Sequence, residues 1–118
     1  MNIEELRNYC ITKKAVTESF PFDETTLVFK VAGKMFALTD LEGELSVNLK
    51  CEPERAIKLR EEYPAITSGY HMDKKHWNTI KIDDSLSDAL IFELIDHSYD
   101  LIISKLTKKQ KLEFGFNI

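Results

Sequence analysis

From Ser85 to Leu106, apolar residues recur at helical spacing: Leu86, Leu90, Ile91, Leu94, Ile95, Leu101, Ile102 and Leu106. A stripe this broad, over about 21 residues or roughly 31 Å of helix, has to be covered by another element. A sheet with one buried face is the natural cover. The segment Glu44-Leu45-Ser46-Val47-Asn48-Leu49-Lys50 alternates strictly, which puts Leu45, Val47 and Leu49 on one buried face of a strand. One long helix laid on a half-buried sheet is thus the frame into which the rest of the chain must fit. With 118 residues it is long enough for one real core, folding being expected to bury roughly two-thirds of the extended surface.

Asn2 and Glu5 form a capping-box start, and Ile3, Leu6 and Cys10 follow at helical spacing, which predicts a helix over about residues 2–13. Pro21 breaks the pattern within Phe20-Pro21-Phe22. Leu27–Val31 and Met35–Thr39 read as strands joined by a tight turn at Gly33-Lys34, and with 44–50 they make an antiparallel meander. Pro53 suits the first turn of a second helix, with Ala56, Ile57 and Tyr63 facing inward, and Pro64 ends it. Ile66–Tyr70 and Asn78–Ile82 read as two further strands around a Lys/His-rich connection, and Ser85 with Asp88 opens the last helix. The predicted order is α-β-β-β-α-β-β-α, an α+β fold of one antiparallel sheet with helices. No linker interrupts it, so residues 1–118 are expected to form one domain.

Charge and cysteine content narrow the function. Sixteen Lys and Arg against 20 Asp and Glu give a net charge of −4, which argues against a general nucleic-acid coat protein. Cys10 and Cys51 lack a CxxC or metal-type spacing and read as reduced thiols of a cytoplasmic protein. The acidic start Met1-Asn2-Ile3-Glu4-Glu5 is not a signal peptide, and no apolar run reaches membrane-spanning length.

The strings Phe20-Pro21-Phe22, Gly33-Lys34-Met35-Phe36-Ala37-Leu38 and Leu49-Lys50-Cys51, the Tyr63-Pro64 helix exit, and Gly69-Tyr70-His71-Met72-Asp73-Lys74-Lys75-His76-Trp77-Asn78-Thr79-Ile80 resemble the MmcQ/YjbR-like family. Ile95-Asp96-His97-Ser98-Tyr99-Asp100-Leu101 and Leu106-Thr107-Lys108-Lys109 extend the resemblance over nearly the whole chain. It implies a two-layer α-β3-α-β2-α domain similar to secretion-chaperone folds. It also implies a DNA-binding role through protruding wing-like elements, and it brings no catalytic residues with it.

The basic residues are segregated along the chain. Lys74, Lys75 and Lys81 accompany His76 and Trp77, while Lys105, Lys108, Lys109 and Lys111 follow the last helix. Between them, residues 83–100 hold six acids and no Lys or Arg. If the two lysine segments converge they can bind phosphates in a salt-sensitive way, with Trp77 or Tyr70 stacking on a base. Lys30 and Lys34 are further candidates at a wing tip. A solvated lysine loop beside a buried Trp is the plainer reading of the same residues. Binding of a protein or peptide to an open sheet face or edge is the alternative function, and a small-ligand pocket near Tyr70, Trp77 and Phe36 is a third. No metal, cofactor or enzymatic activity is expected: His71, His76 and His97 lack ligand spacing, and His97 cannot simply activate its helix neighbour Ser98. His97-Ser98-Tyr99-Asp100 and Glu18 read as structural residues, and a monomer is favoured.

Overall fold

The computed structural model describes residues 1–70 and 72–117. Four helices, α1 (Ile3–Ile11), α2 (Pro53–Glu62), α3 (Asp88–Ser104) and α4 (Lys108–Glu113), accompany six strands. The strands are β1 (Val16–Ser19), β2 (Thr26–Val31), β3 (Lys34–Asp40), β4 (Ser46–Lys50), β5 (Ile66–Ser68) and β6 (Trp77–Lys81). They form one antiparallel sheet in the order β1-β2-β3-β4-β6-β5. The α+β architecture is the one the periodicities predict, with two additions.

The first addition is β1, an edge strand paired to β2 from Val16↔Val31 to Ser19↔Val28. Val-Thr-Glu-Ser carries no apolar alternation, so only its backbone pairing makes it a strand. Its Glu18 takes a bidentate bond from Arg7 of α1 (2.8 and 3.2 Å from Nε), the structural role expected of it. The second is α4, separated from α3 by residues 105–107 and opened by a capping box between Thr107 and Gln110. Three finer expectations are corrected. Ser87, not Ser85, caps α3 and accepts from Leu90 N at 3.1 Å, because Ser85 is held in the loop by Asp83. The first helix stops at Ile11, short of residue 13. Ile57 is half exposed, and Leu59 joins Ala56 as the buried pair of α2.

Strand alternation sorts the sheet into two faces. Leu27, Phe29, Val31, Val47, Leu49 and Ile80 meet Ile91, Leu94, Ile95 and Ile102 of α3 in the main core. A bulge in β3 changes the count there. Phe29 pairs with Ala37 but Lys30 with Met35, so Phe36 is the extra residue. Phe36 and Ala37 consequently both enter the main core, whereas Leu38 packs on the opposite face with Val28 and Trp77, flanked by Met35 and Met72. Phe36 is fully buried and meets Tyr99 edge to face, so it cannot line a ligand pocket with Tyr70.

β3 and β4 pair only at Ala37↔Leu49 and Leu38↔Asn48. At one end the ladder opens, and the hydroxyl of Ser98, reaching from α3, donates to Phe36 O (2.6 Å) and accepts from Lys50 N (3.0 Å). At the other, Thr39 Oγ1 donates to Ser46 O at 2.7 Å. Buried backbone groups need partners, and here side chains supply them.

Candidate functional site

The antiparallel registers assign every charged loop to one of two ends of the sheet. β2 ends and β3 begins at the Ala32-Gly33 turn, and at that same end β4 stops at Lys50 and β6 starts at Trp77. The C-terminus of α3 reaches this end too, where its cap residue Lys105 lies close enough to raise the local potential at Lys50. Burial first, then repulsion from Lys105 and Lys34, push the Lys50 ammonium below its ordinary range, partly offset by Asp73. Lys34, Lys50 and Lys105 are therefore one like-charged group, built from β3, β4 and α3.

On one flank sits the 72–76 loop. Asp73 organises it: Oδ1 accepts from Lys75 N at 2.9 Å, Oδ2 meets His76 Nδ1 at 2.5 Å, and its carbonyl accepts from Trp77 N at 3.0 Å. Those bonds hold the Asp73 carboxyl below the usual range, the His76 bond being the largest cause. Arg60 of α2 clamps the loop through Lys74 O at 2.9 Å. Lys74 and Lys75 are thus exposed on a fixed turn. On the other flank, Lys14 Nζ donates to Gly115 O and lies 5.4 Å from the Phe116 ring, which docks the α4 segment with Lys108, Lys109 and Lys111 beside α1. Two segments distant in sequence, 74–76 and 105–111, thus share one end, with Lys30 and Lys34 of the hairpin between them.

Two predicted site residues do not belong to it. Lys81 closes β6 at the opposite end and pairs with Glu44 at 2.9 Å. Trp77 is 9% exposed, its ring packed among Val28, Leu38, Met35 and Met72, so it offers no face for stacking. Gly69 explains that burial. A Cβ there would lie 2.8 Å from Trp77 Cβ and 3.0 Å from Met72 Cβ, so only glycine lets the chain cross so closely over the Trp. Lys50 and Arg60, conversely, are not among the residues the sequence singles out for the site. Lys50 closes an alternating strand, and nothing local shows that β4 pairs with β6 rather than β5.

The opposite end is acidic. Its loops carry Asp23 and Glu24, then Asp40, Glu42 and Glu44, then Asp83 and Asp84. The N-terminal ammonium lies 3.6 Å from Asp88 there.

The reactive side chains are committed to the fold. Burial pushes the Cys10 thiol up to about 12 and Cys51 to about 11, so neither is a thiolate at neutral pH. His97 Nε2 accepts from Glu52 N at 3.2 Å, and Tyr99 buries its ring while its hydroxyl donates to Lys14 O at 2.6 Å, the latter as expected. His71 lies outside the described residues. Among the described residues no group of three or more His, Cys, Asp or Glu is arranged to hold a metal. Among them, too, no helix is long and apolar enough to cross a membrane.

Helices gathered on one face of a mixed-charge antiparallel sheet define a two-layer α+β protein with an open second face. The YjbR family model matches residues 11–101, and the chain belongs to that family. YjbR of Escherichia coli K12 is 33% identical over 112 residues, covering 94% of this chain and 95% of its own. YbdF of E. coli O157:H7 is 38% identical over 93 residues, or 78% and 76% of the two chains. The crystal structure of Deinococcus radiodurans protein DR2400, domain DUF419, superposes with a TM-score of 0.92 at 40% identity, covering 98% of this chain and 89% of that one. None of these names carries an activity, so chemistry has to be argued from the surface.

Proposed function

We propose that this YjbR-family chain is a non-enzymatic protein that binds the phosphate backbone of a nucleic acid at the lysine end of its sheet. The carrying observation is the placement of Lys34 at the start of β3 and Lys50 at the end of β4 at one end of the sheet, where Lys105 at the end of α3 also acts on Lys50. Phosphates placed there relieve the repulsion on Lys50 and release condensed counterions. The acidic far end keeps the net charge negative and orients the molecule, so a polyanion approaches from one side only.

Fluorescence anisotropy with a labelled oligonucleotide tests the reading. With about four phosphate contacts, affinity falls on the order of 100-fold between 50 and 200 mM salt. Lys34→Glu with Lys105→Glu flattens the salt slope by about two, while Lys81→Glu leaves it unchanged. Binding that ignores salt, or that survives the lysine-end reversals, rejects the proposal.

A further inference from the structure

The open face of the sheet carries a groove of about 610 Å³ that runs from the acidic loops to Tyr70 and Met72 of the β5–β6 loop, within the range of small-molecule sites. Three loops wall it, contributing Phe22, then Glu42 and Glu44, then Tyr70 and Met72. Its floor is the apolar Leu38 beside strand polar groups that already have partners: Thr79 with Asn48, and Thr39 with Ser46. Among the carboxylates, Glu44 already meets Lys81 Nζ at 2.9 Å and Asp23 is held by its own loop, so what remains for a guest is an apolar floor, an aromatic rim and the carboxylates of Asp40 and Glu42. Phe22 is 63% and Tyr70 71% exposed on that rim. Asp23, Asp40, Glu42 and Glu44 line the groove, and among the described residues no Lys, Arg or His does.

Each part selects. The carboxylates disfavour anions, so the groove does not take the phosphates proposed for the lysine end. Apolar floor and aromatic rim favour a guest with a hydrophobic body, and aromatic faces attract a cation placed over them. Walls on three sides suit a compact molecule better than an extended peptide running through. We infer that the groove binds a compact organic amine, its apolar body on Leu38, Met72 and Phe22 and its ammonium between Asp40 and Glu42. Asp23 shapes this site without needing to touch the guest, since it accepts from Thr25 N and Thr26 N and so fixes the loop that presents Phe22.

The probe is 2-phenylethylamine, compared with 2-phenylethanol as neutral isostere and 3-phenylpropanoate as anion, titrated into the full chain. Binding is read from amide NMR shifts and from the fluorescence of Trp77, the chain's single tryptophan, which packs on Met72 in the groove wall. The amine saturates and binds at least about tenfold more tightly than the alcohol, an electrostatic gain of about 1.4 kcal/mol. The anion does not bind. Asp40→Asn with Glu42→Gln, both exposed and neither paired with a lysine, removes about that tenfold, and Lys34→Glu with Lys105→Glu does not. No saturable shift with the amine up to about 10 mM, equal binding of the alcohol, or full retention in the folded double variant each overturns the assignment.

Discussion

Single side chains here stand in for backbone pairing, and their loss should be costly for that reason. Ser98 fills the gap where β3 and β4 part, bonding Phe36 O and Lys50 N at once. Ser98→Ala leaves two buried backbone groups without partners and is expected to lower unfolding free energy by about 3 kcal/mol, measurable by urea titration. At Gly69 the reason is steric. Gly69→Ala drives a methyl into Trp77 and costs about 1–3 kcal/mol, with a change in Trp77 fluorescence marking the displaced loop. His97 gives a pH signature. It must be neutral to accept from Glu52 N, and burial, followed by repulsion from Arg55, holds its pKa below 6.5. The unfolded chain therefore takes up the proton first as pH falls, so stability is full above about 6.5 and declines below it until the folded imidazole also titrates. His97→Gln is expected to flatten stability between about pH 7 and 5. Ser98 and His97 were legible as structural residues, but their partners were not, because those partners lie 45 to 62 residues away.

Elements announced themselves in the sequence in proportion to how much apolar surface they bury. α3 and β4, with their unbroken periodicities, were plain. β1 was invisible because its side chains form no pattern, and α4 was overlooked although the Thr107–Gln110 capping box marks its start. The β2–β3 turn shows how local chemistry can outrun pattern. Val31 pairs with Lys34, leaving Ala32 (φ 50°) and Gly33 (φ 79°) as a two-residue connection with positive φ at both positions. Gly33→Ala meets no atom yet forces a second non-glycine residue into the left-handed region, and is expected to cost about 1–2 kcal/mol in thermal or chemical denaturation. This hairpin also carries Lys34, so its rigidity matters to the lysine end.

At the scale of the molecule, charge is sorted by topology. Lys50 is half-buried beside Lys105 and Lys34, which sets stability against the proposed binding. Lys50→Met should raise stability by about 0.5–1 kcal/mol at low salt, lose much of that gain at about 1 M salt, and weaken polyanion binding. Unchanged stability would show that the three ammonium groups are too well solvated to interact. By itself, the sequence determined which segments become helix or strand and that its basic residues come in blocks, since periodicity and charge runs are local properties. Only the tertiary structure decided that β4 lies beside β6, that Lys50 joins Lys34 and Lys105, that Lys81 does not, and that Trp77 is buried. Those outcomes depend on strand order and register, which are settled by how the whole core packs and by no single stretch of chain.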